Sequence, residues 1–225
     1  MQTRWTGCGT ALVTPFTRTG ALDETAIKKL VRRQIEGGAH FLVPCGTTGE
    51  SPSLSNAEKL RVVELVVDEA NGAIPALAGA GSYSTRSARE LIDDMDTVGA
   101  SGILSVTPYY NKPTQEGLYR HFETIASNTG LPIVVYNVPG RTGCNIDPQT
   151  VLRLSSIPNI VGIKEASGRL EQICDVCRIV PEEFCVLSGD DAFTLAVIAL
   201  GGTGVISVVA NELSLIHICS CRREN

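Results

Sequence analysis

The chain has 225 residues, 43% of them hydrophobic and 5% aromatic, with a formal net charge of −5. That length allows one large or two small domains with a sizeable core, and the acidic balance argues against a general nucleic-acid binder, which would show a basic stripe. No apolar run approaches the ~20 residues of a membrane span, and the first residues lack the basic-then-apolar pattern of an export signal, so a cytoplasmic protein is expected.

One pattern repeats along the chain: a short β-branched run, a Gly/Pro/Thr loop, then an amphipathic helix. Thr10–Val13 opens it, followed by a helix from about Asp23 with Ile27, Leu30, Val31 and Ile35 on one face. Phe41–Val43 is the second strand, and Ser55 and Glu58 have capping-box spacing at the start of its helix. Ile74–Ala78 and a helix from Thr85 to Val98 follow, then Ile103–Val106 and a helix from Thr114 to Ser127. Ile133–Tyr136 is the fifth strand; its helix starts at Asp147-Pro148, with proline in the first turn. Ile160–Lys164 precedes a helix from about Gly168 to Val180, and Phe184–Leu187 one from Ala192 to Leu200. Val205–Val208 makes an eighth strand.

Strands that alternate with helices imply parallel pairing through right-handed crossovers. Eight βα units predict an α/β fold of the (β/α)8 TIM-barrel type. The alternative is a doubly wound open sheet, whose dinucleotide-binding form is weakened by the lack of G-x-G-x-x-G after the first strand. After Glu212 no amphipathic covering helix is legible. Residues 1–212 therefore read as one barrel domain without its eighth helix, and residues 213–225 as a foreign tail.

The eight cysteines read as reduced thiols of a cytosolic protein. Cys174 and Cys177 have ligand spacing, but the partner pair, Cys219 and Cys221, lies in the tail, so no zinc is expected; no other metal or cofactor is called for either. His40 and His121 lack a nucleophile partner and read as structural.

In a barrel, catalytic groups collect at the C-terminal ends of the strands. Val161-Gly162-Ile163-Lys164 ends in a lysine; alternation puts Val161 and Ile163 on one side, Gly162 and Lys164 on the other. If that second side is the barrel interior, desolvation lowers the amine's pKa and Lys164 becomes a Schiff-base former; otherwise it merely ends a strand. Tyr136, facing the same way on the neighbouring strand, would shuttle protons. Gly46-Thr47-Thr48-Gly49-Glu50-Ser51 offers amides and hydroxyls to a small carboxylate, or is only a helix-entry loop. Tyr109 and Tyr110 sit in a proline-bounded loop, as packing or interface residues. Arg141 supplies a fork for a second carboxylate, and Ser188-Gly189-Asp190-Asp191 is a site loop or an N-cap.

GTTGES at Gly46–Ser51, TPYYNKPTQEGLY at Thr107–Tyr119, YNVPGRTG at Tyr136–Gly143, VGIKEASG at Val161–Gly168 and SGDD at Ser188–Asp191 together resemble the dihydrodipicolinate synthase family of the pyruvate-dependent class I aldolases. The resemblance runs from about Thr6 to Glu212. It implies condensation of pyruvate, held as a lysine Schiff base, with aspartate semialdehyde to give 4-hydroxy-tetrahydrodipicolinate. Lys164 would form the imine. Tyr136, Thr47 and Tyr110 would relay protons, Tyr110 reaching a neighbouring subunit of a homotetramer. Gly46, Thr48 and Gly49 would hold the pyruvate carboxylate, Arg141 would meet the semialdehyde carboxylate, and Gly189, Asp190 and Ile206 would line the site. The rivals are N-acetylneuraminate lyase and the keto-deoxy-sugar-acid aldolases, which share the imine chemistry, and a non-catalytic keto-acid-binding barrel. Arg141 within YNVPGRTG favours the synthase.

Two departures stand out. Ser51, Asn56 and Tyr109 fit an allosteric lysine cleft, but Tyr83 and Ser87 stand where relatives carry an asparagine and a glutamate, so weak lysine feedback is expected. Family members also continue through an eighth helix and a C-terminal helical segment. Each large apolar side chain left uncovered forfeits ~1.5–3 kcal/mol against a total of ~5–15 kcal/mol, so the chain as it stands is expected to be poorly soluble or inactive.

Overall fold

Helix starts in this chain are written in side-chain chemistry, and the computed structural model, which describes residues 5–213, realises them. Asp23 accepts from the Ala26 amide at the start of α1 (Glu24–Glu36), and Ser55 and Glu58 form a reciprocal capping box on α2 (Asn56–Ala70). The Ser84 side chain caps α3 (Thr85–Thr97) and that of Thr114 caps α4 (Gln115–Ala126). A short turn, α5 (Pro139–Thr142), opens on proline and closes on left-handed Gly143; α6 (Pro148–Ser155), α7 (Leu170–Ile179) and α8 (Thr194–Ala199) follow.

The strands between them are β1 (Gly7–Ala11), β2 (Phe41–Val43), β3 (Leu77–Gly79), β4 (Gly102–Val106), β5 (Ile133–Asn137), β6 (Ile160–Glu165), β7 (Cys185–Ser188) and β8 (Gly204–Ser207). They lie in the order β2-β1-β8-β7-β6-β5-β4-β3, every neighbour parallel. A parallel bridge from Leu42 to Ala76, and the Gly79 amide donating to the Pro44 carbonyl at 2.9 Å, join the two ends. The fold is a (β/α)8 barrel. β1 starts earlier than its apolar run predicts, because Gly7 and Gly9 mute the strand signal.

The core has two layers. Ala11, Phe41, Val43, Leu77, Leu104, Val134, Leu187 and Ile206 fill the barrel. Trp5, meeting Phe41 edge-on at 5.3 Å, plugs its N-terminal end. A larger cluster fills the space between strands and helices, with Val31, Leu65, Ile92, Phe122 and Val176 from the helices against Leu42, Ile103 and Val135.

β6 departs from the alternation read in its sequence. Ile133 pairs with Ile160 but Val134 pairs with Gly162, so the register shifts by one residue. Ile160 and Ile163 join the outer layer, while Val161 packs on the inner one and does not share a side with Ile163. Beyond β8, the described residues form a short 3-10 turn (Val209–Asn211). Leu195, Ile198, Val208 and Val209 are exposed on this side of the barrel. The tail expected from residue 213 lies, except for Leu213, outside the described residues, as do Cys219 and Cys221.

Candidate active site

Lys164 stands near the C-terminal end of β6 in register with Tyr136 on β5 and Leu187 on β7. Partners in register share a face, so the lysine enters the barrel mouth beside the tyrosine. Its side chain is buried at 4% exposure, and Nζ lies 4.3 Å from the centre of the Tyr136 ring. Burial pulls the amine down to about 8; Asp191 acts the other way, and Arg141 pushes it lower still. Such an amine reaches its neutral, nucleophilic form far more readily than a surface lysine. Gly189, after β7, makes the room: a Cβ there would fall 3.1 Å from Lys164 Cε and 2.6 Å from the Ala166 methyl.

Tyr136 is also buried, which raises its pKa; a hydrogen bond with the Thr47 side chain and the charge of Arg141 oppose that rise. Thr47 belongs to the turn after β2, where the amides of Gly49 and Ser51 donate to the Gly46 carbonyl and that of Glu50 to Thr47. Cys45 and Glu50 take left-handed φ of 56° and 55°, and Thr14 Oγ1 donates to the Gly49 carbonyl at 2.7 Å, pinning the turn. Gly79 lets this turn approach, since a Cβ there would lie 2.1 Å from the Cys45 carbonyl oxygen. A cavity of about 70 Å³ joins Thr47 and Tyr136 to Gly46, Ser51, Lys59 and Tyr109.

An amine of lowered pKa, a buried phenol and a hydroxyl-bearing turn therefore meet at the C-terminal mouth of a barrel. A sequence profile of the dihydrodipicolinate synthetase family matches residues 4–217. The chain belongs to that family. It is 54% identical over 208 residues to the 4-hydroxy-tetrahydrodipicolinate synthase of Koribacter versatilis, covering 92% of this chain and 69% of that one. With the enzyme of the same name from Syntrophus aciditrophicus it shares 53% over 205 residues, 91% of this chain and 70% of the relative. Among solved structures, the 4-hydroxy-tetrahydrodipicolinate synthase of Methylacidiphilum fumariolicum SolV superposes with a TM-score of 0.91 at 44% identity, over 92% of this chain and 69% of that one. A lysine-bound dihydrodipicolinate synthase from Cyanidioschyzon merolae gives 0.93 at 40%, over 97% and 76%. As a member of the dihydrodipicolinate synthetase family, the chain is a lyase of lysine and diaminopimelate biosynthesis.

Not every residue singled out in the sequence converges on Lys164. Arg141, in the α5 turn, is exposed and acts on Lys164 and Tyr136 through its charge. Ile206 is buried inside the barrel in register with Gly9. Tyr110 is 92% exposed with a left-handed φ of 70°, so within this chain it turns away from Tyr136 and Thr47. Asp190 caps the turn before α8, accepting from the Ala192 amide at 3.0 Å. Ser51 and Tyr109 line the cavity beyond Thr47; Tyr83 meets Tyr109 edge-on at 5.5 Å. Asn56 and Ser87 are exposed in the first turns of α2 and α3. The two histidines are tied into the fold, His40 accepting from the Cys8 amide and His121 bonded to Thr85. Among the described residues no cluster of three or more potential metal ligands forms, and no helix is long and apolar enough to cross a membrane.

The sequence reading named Glu165 and Asp191 only within their motifs and gave neither a role of its own. Glu165, 1% exposed on the opposite face from Lys164, accepts from the Ser167 amide at 2.7 Å, from Asn137 Nδ2 at 3.1 Å and from Gln172 Nε2 at 3.4 Å. Burial raises its pKa, against those hydrogen bonds. Asn137 also receives the Ile146 amide, so this network ties the loop after α5 to the two strands that carry Tyr136 and Lys164. Strand alternation alone was signal enough to place Glu165 behind the lysine.

Proposed function

We propose that the chain is a 4-hydroxy-tetrahydrodipicolinate synthase, condensing pyruvate with aspartate semialdehyde through an imine on Lys164. The observation that carries this reading is the Lys164 amine, buried, with its pKa near 8 and its nitrogen 4.3 Å from the Tyr136 ring. The neutral amine attacks the keto carbon of pyruvate, and the carbinolamine loses water to give the iminium. Loss of a methyl proton then yields an enamine, with the iminium as electron sink. The enamine carbon attacks the aldehyde; the substrate's own amine then displaces Lys164 from the imine carbon and closes the ring. Tyr136, bonded to Thr47, relays protons to and from the nitrogen and the new hydroxyl. Gly46, Thr48 and Gly49 hold the pyruvate carboxylate with main-chain amides and a hydroxyl, and Arg141 receives the carboxylate of the aldehyde at the mouth. Gly189, Asp190 and Ile206 wall the site.

Tyr110 completes the relay of a neighbouring subunit in a homotetramer; its exposure and its left-handed backbone, held out from the surface, support that reach. A cytoplasmic setting accords with the unpaired thiols of Cys45, Cys144, Cys174, Cys177 and Cys185. Feedback by lysine is weak or absent, since Tyr83 packs edge-on against Tyr109 and Ser87 offers no charge to an incoming ammonium.

Borohydride reduction with pyruvate tests the chemistry: the peptide containing Lys164 gains the mass of the reduced adduct, and no gain would leave a keto-acid-binding barrel. Turnover with aspartate semialdehyde and none with N-acetylmannosamine separates the synthase from the sugar-acid lyases. Light scattering reads the assembly, and inhibition at low micromolar lysine would contradict the feedback reading.

A further inference from the structure

We infer that the Asp191 carboxylate is the counter-charge of Lys164: it balances the resting ammonium and then the iminium formed on it. The inference rests on the imine reading above. Asp191 Oδ2 accepts two main-chain amides just past β8, from Val208 at 2.9 Å and Val209 at 3.2 Å. These bonds fix the carboxylate across the top of the barrel between β7 and β8. Its other oxygen, Oδ1, is shielded from solvent and meets no donor among the described residues. A buried carboxylate oxygen without a donor is costly unless a positive charge stands near it. The backbone of the same loop runs close to the lysine: a Cβ on Gly189 would fall 3.1 Å from Lys164 Cε.

The other groups facing the amine do not supply this charge. Tyr136 from β5 is a neutral phenol whose pKa is raised, and Arg141 from α5 is a cation. Asp190 turns its carboxylate to the Ala192 amide, and Glu165 lies on the far face of β6 among Asn137, Ser167 and Gln172. Asp191 is the group that acts on Lys164 against burial and against Arg141. Held by the two amides, it keeps its place while positive charge passes from ammonium to iminium, so it is a positioning residue. A carboxylate at this place stabilises the charged intermediate more than the neutral amine and keto acid that precede it.

The test is Asp191→Asn, which still accepts the Val208 and Val209 amides but carries no charge. Lys164 then loses its proton more easily. The acid limb of the pH profile for borohydride trapping with pyruvate moves down by about one pH unit, while turnover of the condensation falls about tenfold or more. A role confined to holding the β8 amides would leave the limb in place. Trapping rates are taken relative to each variant's end-point label, so a smaller folded fraction lowers amplitude without moving the limb. Asp191→Ala, read beside it, shows the same shift. A limb that superimposes on the wild type, or moves up, overturns the inference while wild-type trapping keeps the imine reading intact. A wild-type chain that traps no pyruvate overturns both.

Discussion

Lys164 and Glu165 are consecutive, both ionisable and both almost wholly buried, yet the structure treats them in opposite ways. Glu165 is wrapped by donors: the Ser167 amide, the Asn137 amide group and that of Gln172 leave its oxygens saturated. Lys164 has an aromatic ring, a carboxylate beyond direct bonding and a space kept open by Gly189. Saturation makes a buried charge structural; under-saturation leaves it reactive. The difference is one residue of strand.

The sharpest way to break the comparison is Lys164→Met, which removes imine trapping and turnover altogether. The same change raises the thermal midpoint at pH 7 by a few degrees, because it deletes a desolvated ammonium. Here the sign matters. A lysine whose folded pKa is lowered to about 8 from 10.5 binds fewer protons folded than unfolded in that window, so wild-type stability climbs as pH rises from about 8 to 10.5. Lys164→Met abolishes that climb. Wild-type imine formation likewise accelerates as pH rises and levels off above about 8. Tyr136→Phe, next in size, keeps the packing and loses the phenol; condensation slows by roughly 10²–10⁴ while pyruvate trapping persists in part. On the saturated side, Glu165→Met leaves the Ser167 amide without its acceptor and strips one acceptor from Asn137 and Gln172. Denaturant titration should show a loss of about 2–4 kcal/mol, with trapping by the folded fraction little changed. An increase in stability would remove the distinction drawn between the two residues.

His121 offers the smallest test of what saturation means. It is buried in α4, bonded to Thr85 through Nδ1, while Nε2 finds no partner among the described residues. Burial lowers its pKa to about 4. Between pH 6.5 and 4 the unfolded chain binds the extra proton and the folded chain does not, so stability falls as pH drops through that window. His121→Gln flattens this acid slope, read as midpoint against pH.

Much of the scaffold was legible because its signals are local. The capping box at Ser55 and Glu58, the threonine before α4 and the proline opening α6 each fix a helix start through a few neighbouring atoms. The pairing of Tyr136 with Lys164 also followed from strand order, since adjacent parallel strands bring their ends together. Asp191 was hidden for the opposite reason. Two aspartates stand side by side after β7, and only the folded loop decides that Asp190 caps a turn while Asp191 reaches across to the amides past β8. Trp5 was equally silent, since its role as barrel floor depends on meeting Phe41 from another strand.

The register shift in β6 carries a consequence for the direction of the chemistry. Ile160 and Lys164 sit an even number of positions apart, so an unbroken strand would send both to the same layer, and Ile160 faces the helices. The supernumerary residue at Val161–Gly162 works as a phase inverter for everything downstream. Deleting Val161, one codon, would leave Ile160 and Lys164 an odd number of positions apart, so plain alternation would still send Ile160 to the helices and the amine to the barrel mouth; inserting a residue there instead would hand the mouth the Glu165 carboxylate.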